Sequence, residues 1–143
     1  MLQYKDGRFS AQGVSFSIPN GFFLETEPEF CYEYGFGAWT PDKQYYMEWQ
    51  IETGCTGTEN ELRQLFETGS ETKPLSEIQP VTVNGLAGHY TAYQNKNGQF
   101  FELRLSAHGG TEIALTVKSA GGDILAAMHT PSIKAAMDGI RPE

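Results

Sequence analysis

Residues 31–52 read CYEYGFGAWTPDKQYYMEWQIE, and their reading decides the fold. Pro41-Asp42 suits the centre of a tight turn, so the flanking runs predict a β-hairpin closed by Thr40 and Lys43. Strand side chains alternate between faces. In that register Tyr32, Tyr34, Phe36 and Ala38 oppose Ile51, Trp49, Met47 and Tyr45 on one face, the expected core. The other face carries Glu33, Gly35, Gly37 and Trp39 opposite Gln50, Glu48, Tyr46 and Gln44. Glycines beside a tryptophan and a tyrosine imply that something approaches this outer face closely.

Upstream, Val14, Phe16 and Ile18 alternate with Ser15 and Ser17, a half-buried edge strand within residues 8–18 that Pro19-Asn20-Gly21 ends. Phe22, Phe23 and Leu24 are expected to pack under the sheet. Downstream of the loop 54–57, Thr58 and Glu61 form a capping box. A helix is expected from there, with Leu62, Leu65 and Phe66 on one side and Gly69 as its stop. Residues 70–80 read as a crossing loop.

Residues 81–119 predict a meander. Asn84-Gly85 is a strong hairpin signal. Asn97-Gly98 offers a second turn, pairing Tyr90 with Leu105, Ala92 with Leu103 and Gln94 with Phe101. Around Gly109-Gly110 a three-residue loop with a glycine bulge keeps apolar residues on one face, pairing Leu105 with Leu115, Leu103 with Val117 and Glu102 with Lys118. Asp123 is expected to cap a helical turn over 124–128. Thr130 is expected to cap a last helix that has Pro131 at its first position, an apolar stripe of Ile133, Ala136 and Met137, and Gly139 at its end. This order predicts an α+β fold: a mainly antiparallel sheet of about six to seven strands with helices packed on it. Gly88 is expected on an outer face with Gly35 and Gly37.

The 143 residues suit a single domain, 1–143. The formal charge is -8, and the ten basic residues are scattered singly, which disfavours a nucleic-acid or anionic-membrane surface. No apolar run reaches the roughly 20 residues of a membrane span. MLQYKDGRFSAQG lacks a secretory apolar region, as expected of a cytoplasmic protein, the alternative being the mature part of an exported one. Cys31 points outward in the hairpin register, whereas Cys55 on an uninterrupted strand points inward. Two buried free thiols are therefore expected, a disulfide requiring Gly54 to shift the parity.

The histidines, His89, His108 and His129, have no partner at metal-ligand spacing, and neither a metal nor a cofactor is expected. His89 falls near Ser106 on the outer face, but no orienting carboxylate or oxyanion hole is evident for a nucleophilic triad. Glu25, Glu27, Glu29, Glu33, Glu48 and Glu52 crowd the first third, a solvated acidic edge that discourages aggregation. The outer aromatics Trp39, Tyr46, Tyr93 and Phe100 are either exposed anchors for a partner or surfaces that a helix of the chain covers.

The strand with its proline break (FSIPNG), the mid-chain helix (TENELRQLF), the hairpin-linked strands and the closing helix (TPSIKAAMDGI) together resemble the PsbP-like superfamily. That group includes an accessory protein of the oxygen-evolving photosystem, a Ran-binding nuclear import factor and many bacterial lipoproteins. The resemblance spans nearly the whole chain. It implies three layers around an antiparallel sheet and mostly non-catalytic accessory or binding roles, and it carries over no catalytic or contact residue.

The reading is therefore a non-enzymatic binding or accessory domain that engages an unidentified protein partner, with Trp39, Tyr46, Glu48 and Tyr93 as candidate binding residues. One alternative is a small hydrolase or ligand-binding enzyme using the acidic region around Glu33 and Glu48. Another is an acidic immunity-type protein that neutralises a basic partner.

Overall fold

The computed structural model describes residues 2–26, 28, 35–67 and 71–143. The chain begins with three short strands, β1 (Gln3–Lys5), β2 (Arg8–Ala11) and β3 (Val14–Phe16). Asp6-Gly7 and Gln12-Gly13 link them, with φ of 54° and 79° and of 52° and 84°. Positive φ at both central residues is the type I′ turn whose twist matches paired strands. The segment read as one edge strand is therefore two strands and a turn. Ser15 is buried rather than exposed, because β3 is paired on both sides, by β2 and by β12 (Arg141–Pro142). The Arg8 guanidinium covers Ser15, donating to its Oγ at 2.9 Å.

The remaining strands are β4 (Phe23–Leu24), β5 (Gly35–Trp39), β6 (Tyr45–Glu52), β7 (Lys73–Pro74), β8 (Gln79–Val83), β9 (Leu86–Asn95), β10 (Gly98–Ser106) and β11 (Glu112–Ser119). They form one antiparallel sheet in the order β4-β5-β6-β11-β10-β9-β7, with β8 also on β9. The described residues thus hold twelve strands in two sheets, more than the six or seven expected. The α+β class and the antiparallel sheet are as expected.

Over the described residues the hairpin faces are as read, Tyr32 and Tyr34 lying outside them, but the partners differ. Trp39 pairs with Tyr46, Ala38 with Met47 and Phe36 with Trp49, two residues away from the expected register. The loop is longer than Pro41-Asp42 alone: Lys43 takes φ 58°, and Thr40 donates its N–H to Tyr45 O at 3.1 Å. The Asp42 carboxylate holds the loop by accepting from Gln44 N at 3.0 Å and Thr40 Oγ1 at 2.8 Å. A shift of two residues preserves side-chain parity, so Met47 and Trp49 are fully buried and Glu48 is exposed.

β9 and β10 are displaced in the same way. Asn95 pairs with Gly98, Ala92 with Phe101 and Tyr90 with Leu103. Asn84-Gly85 makes the expected hairpin, with Val83 opposite Leu86. Between β10 and β11, Ala107 donates to Thr111 O across His108-Gly109-Gly110, a three-residue loop as expected. The pairs, however, are Leu105–Ile113, Leu103–Leu115 and Glu102–Thr116. Gly88 pairs with Leu105 and Val81, so it lies on the inner face, contrary to expectation.

The inner face of the large sheet packs against the small sheet, a 3-10 helix (Ile124–His129) and α2 (Pro131–Asp138). Phe16 stacks on Trp49 with centroids 5.4 Å apart, and Phe9 lies between Phe16 and Phe36 at 5.0 and 4.7 Å. Asp123 caps the 3-10 helix by accepting from Leu125 N. Thr130 occupies the N-cap position of α2, but its hydroxyl donates to Ala126 O instead of capping. α1 (Thr58–Glu67) lies on the opposite face over β9 and β10, which completes three layers. Thr58 is inside this helix with its hydroxyl on His89, and Glu61 accepts from Thr56 N at 2.9 Å and from Thr56 Oγ1 at 2.8 Å, so the expected Thr58–Glu61 box is replaced by these bonds. Gly69, the expected stop, lies outside the described residues. Phe23 and Leu24 are exposed on β4 rather than packed beneath the sheet.

Candidate functional site

Strand pairing aligns one row of residues across the outer face. Phe23 of β4 opposes Trp39, Trp39 opposes Tyr46, Tyr46 opposes Lys118, Lys118 opposes Phe100, Phe100 opposes Tyr93, and Tyr93 opposes Pro74. Cross-strand neighbours are close enough for their rings to touch. Trp39 and Tyr46 have centroids 5.2 Å apart, and so do the stacked pair Tyr93 and Phe100. The Lys118 ammonium lies 5.9 Å from the Phe100 ring centre, and that of Lys43 lies 4.7 Å from Phe23.

The row is unevenly covered. At one end Phe66 of α1 meets Tyr93 edge-on at 6.4 Å, leaving Tyr93 only 6% exposed. Of the two alternatives for Tyr93, an exposed anchor or a surface covered by a helix, the second holds, and Tyr93 is no exposed binding residue. Trp39, Tyr46 and Phe100 are half-buried, and Phe23 is exposed. Gly37 makes room for Tyr46, because a Cβ there would collide with the phenol ring. Burial, a hydrogen bond with Glu25 and the charge of Glu48 hold the Tyr46 hydroxyl above the ordinary tyrosine range. Glu48 lies in the next row, between Gly37 and Thr116. Glu33 and Cys31 lie outside the described residues.

Beneath α1 is a cluster that the sequence reading missed. Arg104 donates to Glu102 at 2.9 Å, Glu112 at 3.0 Å and Glu52 at 3.1 Å. Arg104, Glu102 and Glu112 are all buried. Burial opposes the guanidinium's charge, but the carboxylates outweigh it and hold its pKa above the ordinary value. Burial pushes the Glu112 carboxyl up, against the pull of Arg104. The Tyr93 hydroxyl donates to Glu102 at 3.4 Å, which ties the cluster to the aromatic row. Glu102 and Arg104 stand two apart on the outer side of β10, and that spacing was the available signal. Glu102 instead was expected to pair with Lys118.

His89 is bonded to Thr58, its Nδ1 2.8 Å from the hydroxyl oxygen. His89, Ser106 and Thr58 share an open cavity of about 600 Å3 with Pro80 and Thr82, and no carboxylate lines it. Cys55 is a free, half-buried thiol whose pKa burial raises. Among the described residues no group of three or more His, Cys, Asp or Glu is placed to hold a metal ion. Nor is any described helix long and apolar enough to cross a membrane.

No protein-family model matches the chain, and no curated protein matches it. Fourteen solved chains match its structure. One is the solution structure of cyanobacterial PsbP (CyanoP) from Synechocystis sp. PCC 6803, with TM-score 0.60, 10% identity, and coverage of 99% of this chain and 92% of that one. Another is a protein of Bacteroides thetaiotaomicron VPI-5482, with TM-score 0.52, 12% identity, and coverage of 91% of this chain and 45% of its own. At such identities the likeness shows the fold alone. The chain has a PsbP-like fold, as the resemblance implied.

Proposed function

We propose that this PsbP-like chain is a non-enzymatic binding or accessory domain that engages a protein partner through the outer aromatic row. The observation that carries the reading is the row's uneven cover. α1 seals Tyr93, while Phe23, Trp39, Tyr46 and Phe100 keep exposed surface across four strands of the sheet. Half-buried Trp and Tyr held in fixed orientation are the residue types that dominate binding energy at protein interfaces. Gly37 belongs to the same design, since it lets the Tyr46 ring lie down on the sheet. Glu48 and Lys118 flank the aromatics as polar rim.

The double variant Trp39→Ala/Tyr46→Ala tests this. It is expected to lose about 1–2 kcal/mol of stability, the range of a partly exposed site, and to lose crosslinking to the partner that the wild-type chain captures. If Trp39→Ala by itself unfolds the protein, these rings are core and the row is no binding surface.

A further inference from the structure

Among the described residues, four of the five edge strands carry residues that block strand addition. β1 has Lys5, β7 is Lys73-Pro74, β8 contains Pro80, and β12 is Arg141-Pro142. Lysine, arginine and proline at edges prevent another strand from pairing there. β4 is the exception: it is Phe23-Leu24, exposed by 50% and 42%. Its ladder geometry leaves hydrogen-bonding groups free. Glu25 donates its N–H to Gly37 O at 3.3 Å, so Glu25–Gly37 and Phe23–Trp39 are the hydrogen-bonded pairs, and Leu24–Ala38 between them is not. The Leu24 N–H and C=O therefore point away from β5, to an edge that no described strand occupies. Lys43 stands over Phe23 at that edge and forms no ion pair among the described residues.

We infer that β4 is a strand-addition site for an extended segment of a partner protein. This inference rests on the binding reading above and specifies its mode. The segment's backbone bonds Leu24, a large apolar side chain lies beside Phe23 and continues the aromatic row, and a neighbouring carboxylate reaches the Lys43 ammonium. Main-chain bonds supply affinity in this mode, and alternate side chains supply specificity.

Selection of a displayed library of random 12-residue peptides on the full chain tests the inference. The expected winners pair an aromatic or branched residue with an acidic one. They should bind at least tenfold more weakly to Leu24→Pro and to Lys43→Glu, and should slow amide exchange at Leu24 at least tenfold. Of the ladder groups, Leu24→Pro removes only the outward N–H, with the leucine side chain lost as well. Leu24→Lys serves if the proline variant does not fold. If Trp39→Ala weakens binding tenfold while neither Leu24 variant does, the aromatic row stands as the binding surface and strand addition falls. If none of these variants matters, both fall, and a library without winners also overturns the inference. If the wild-type chain dimerises and Leu24→Pro is monomeric, the occupant is a second copy and the heterologous partner is wrong.

Discussion

Gly37 and Gly88 answer the same substitution in opposite ways. A Cβ at Gly88 would overlap the Arg104 carbonyl and crowd Leu105 Cα, both backbone. β9 and β10 would have to separate, so Gly88→Ala is expected to cost about 1–3 kcal/mol in urea unfolding, as overpacking does. At Gly37 the obstacle is the far end of the Tyr46 side chain, which can turn aside where backbone cannot. Gly37→Ala should leave stability nearly unchanged and lift Tyr46 off the sheet, which increased acrylamide quenching of Trp39 would report. Unchanged quenching would mean that Tyr46 is not seated by the glycine. Glu112 gives a pH-dependent case. Its folded pKa is raised, with burial the largest cause, so the folded state holds the proton more tightly than the unfolded state. Its contribution to stability is therefore full below the unfolded value of about 4.3 and is lost as pH rises through the folded pKa. Wild type is expected to gain stability relative to Glu112→Gln as pH falls from 7 toward 4.5, measured by urea unfolding at each pH. A difference that does not change with pH would refute this. None of these three roles was evident from the residues alone. Gly37 was correctly assigned to the outer face, but which side chain filled its space was not. Gly88 was assigned to the wrong face, and the Arg104 cluster needed the pairing of three strands.

At the scale of elements, parity was legible and register was not. Alternation in GFGAW and YYMEWQIE assigns faces whatever the loop length, provided any error is even. The partners depend on how many residues the turn takes, and positive φ at Lys43 adds residues that Pro41-Asp42 did not announce. Asp6-Gly7 carries a hairpin signal, but β1 and β2, three and four residues long, are too short for alternation to show. The aromatic row depends on the pairing of β6 with β11, strands far apart in the chain. Trp39 and Tyr46 could be read as neighbours, but Lys118 and Phe100 could not be read as continuing their line. α1 was legible from its apolar spacing, and it carries its own prediction. Leu62 is fully buried beneath it, so Leu62→Ala should cost about 2–5 kcal/mol. α1 packs mainly on β9 and β10, and the loss should first appear as local opening, with amide exchange accelerating in residues 58–67 before β11. Equal acceleration in both would make α1 part of the global unfolding unit.

At the scale of the whole molecule, the question is whether the two sheets are one cooperative body. The small sheet shares no strand with the large one, and β12 brings the C-terminal segment onto β3. What joins the sheets is aromatic packing: Phe9 against Phe16 and Phe36, and Phe16 flat on Trp49. Phe9 is only 2% exposed, and its ring is the contact of β2 with both Phe16 of its own sheet and Phe36 of the large one. Phe9→Ala should therefore cost about 3–5 kcal/mol, a large share of the roughly 5–15 kcal/mol that holds a domain together. Trp49 provides the readout because it sits at the junction, whereas Trp39 reports the outer face. In a Trp39→Phe background, Trp49 emission and far-ultraviolet circular dichroism should shift to lower urea together, by the same amount and in one transition. If Trp49 becomes exposed at a urea concentration where the secondary structure of the large sheet survives, the small sheet is an appendage that opens by itself. The row on the opposite face would then rest on a single sheet and α1, and binding there would tolerate the loss of Phe9.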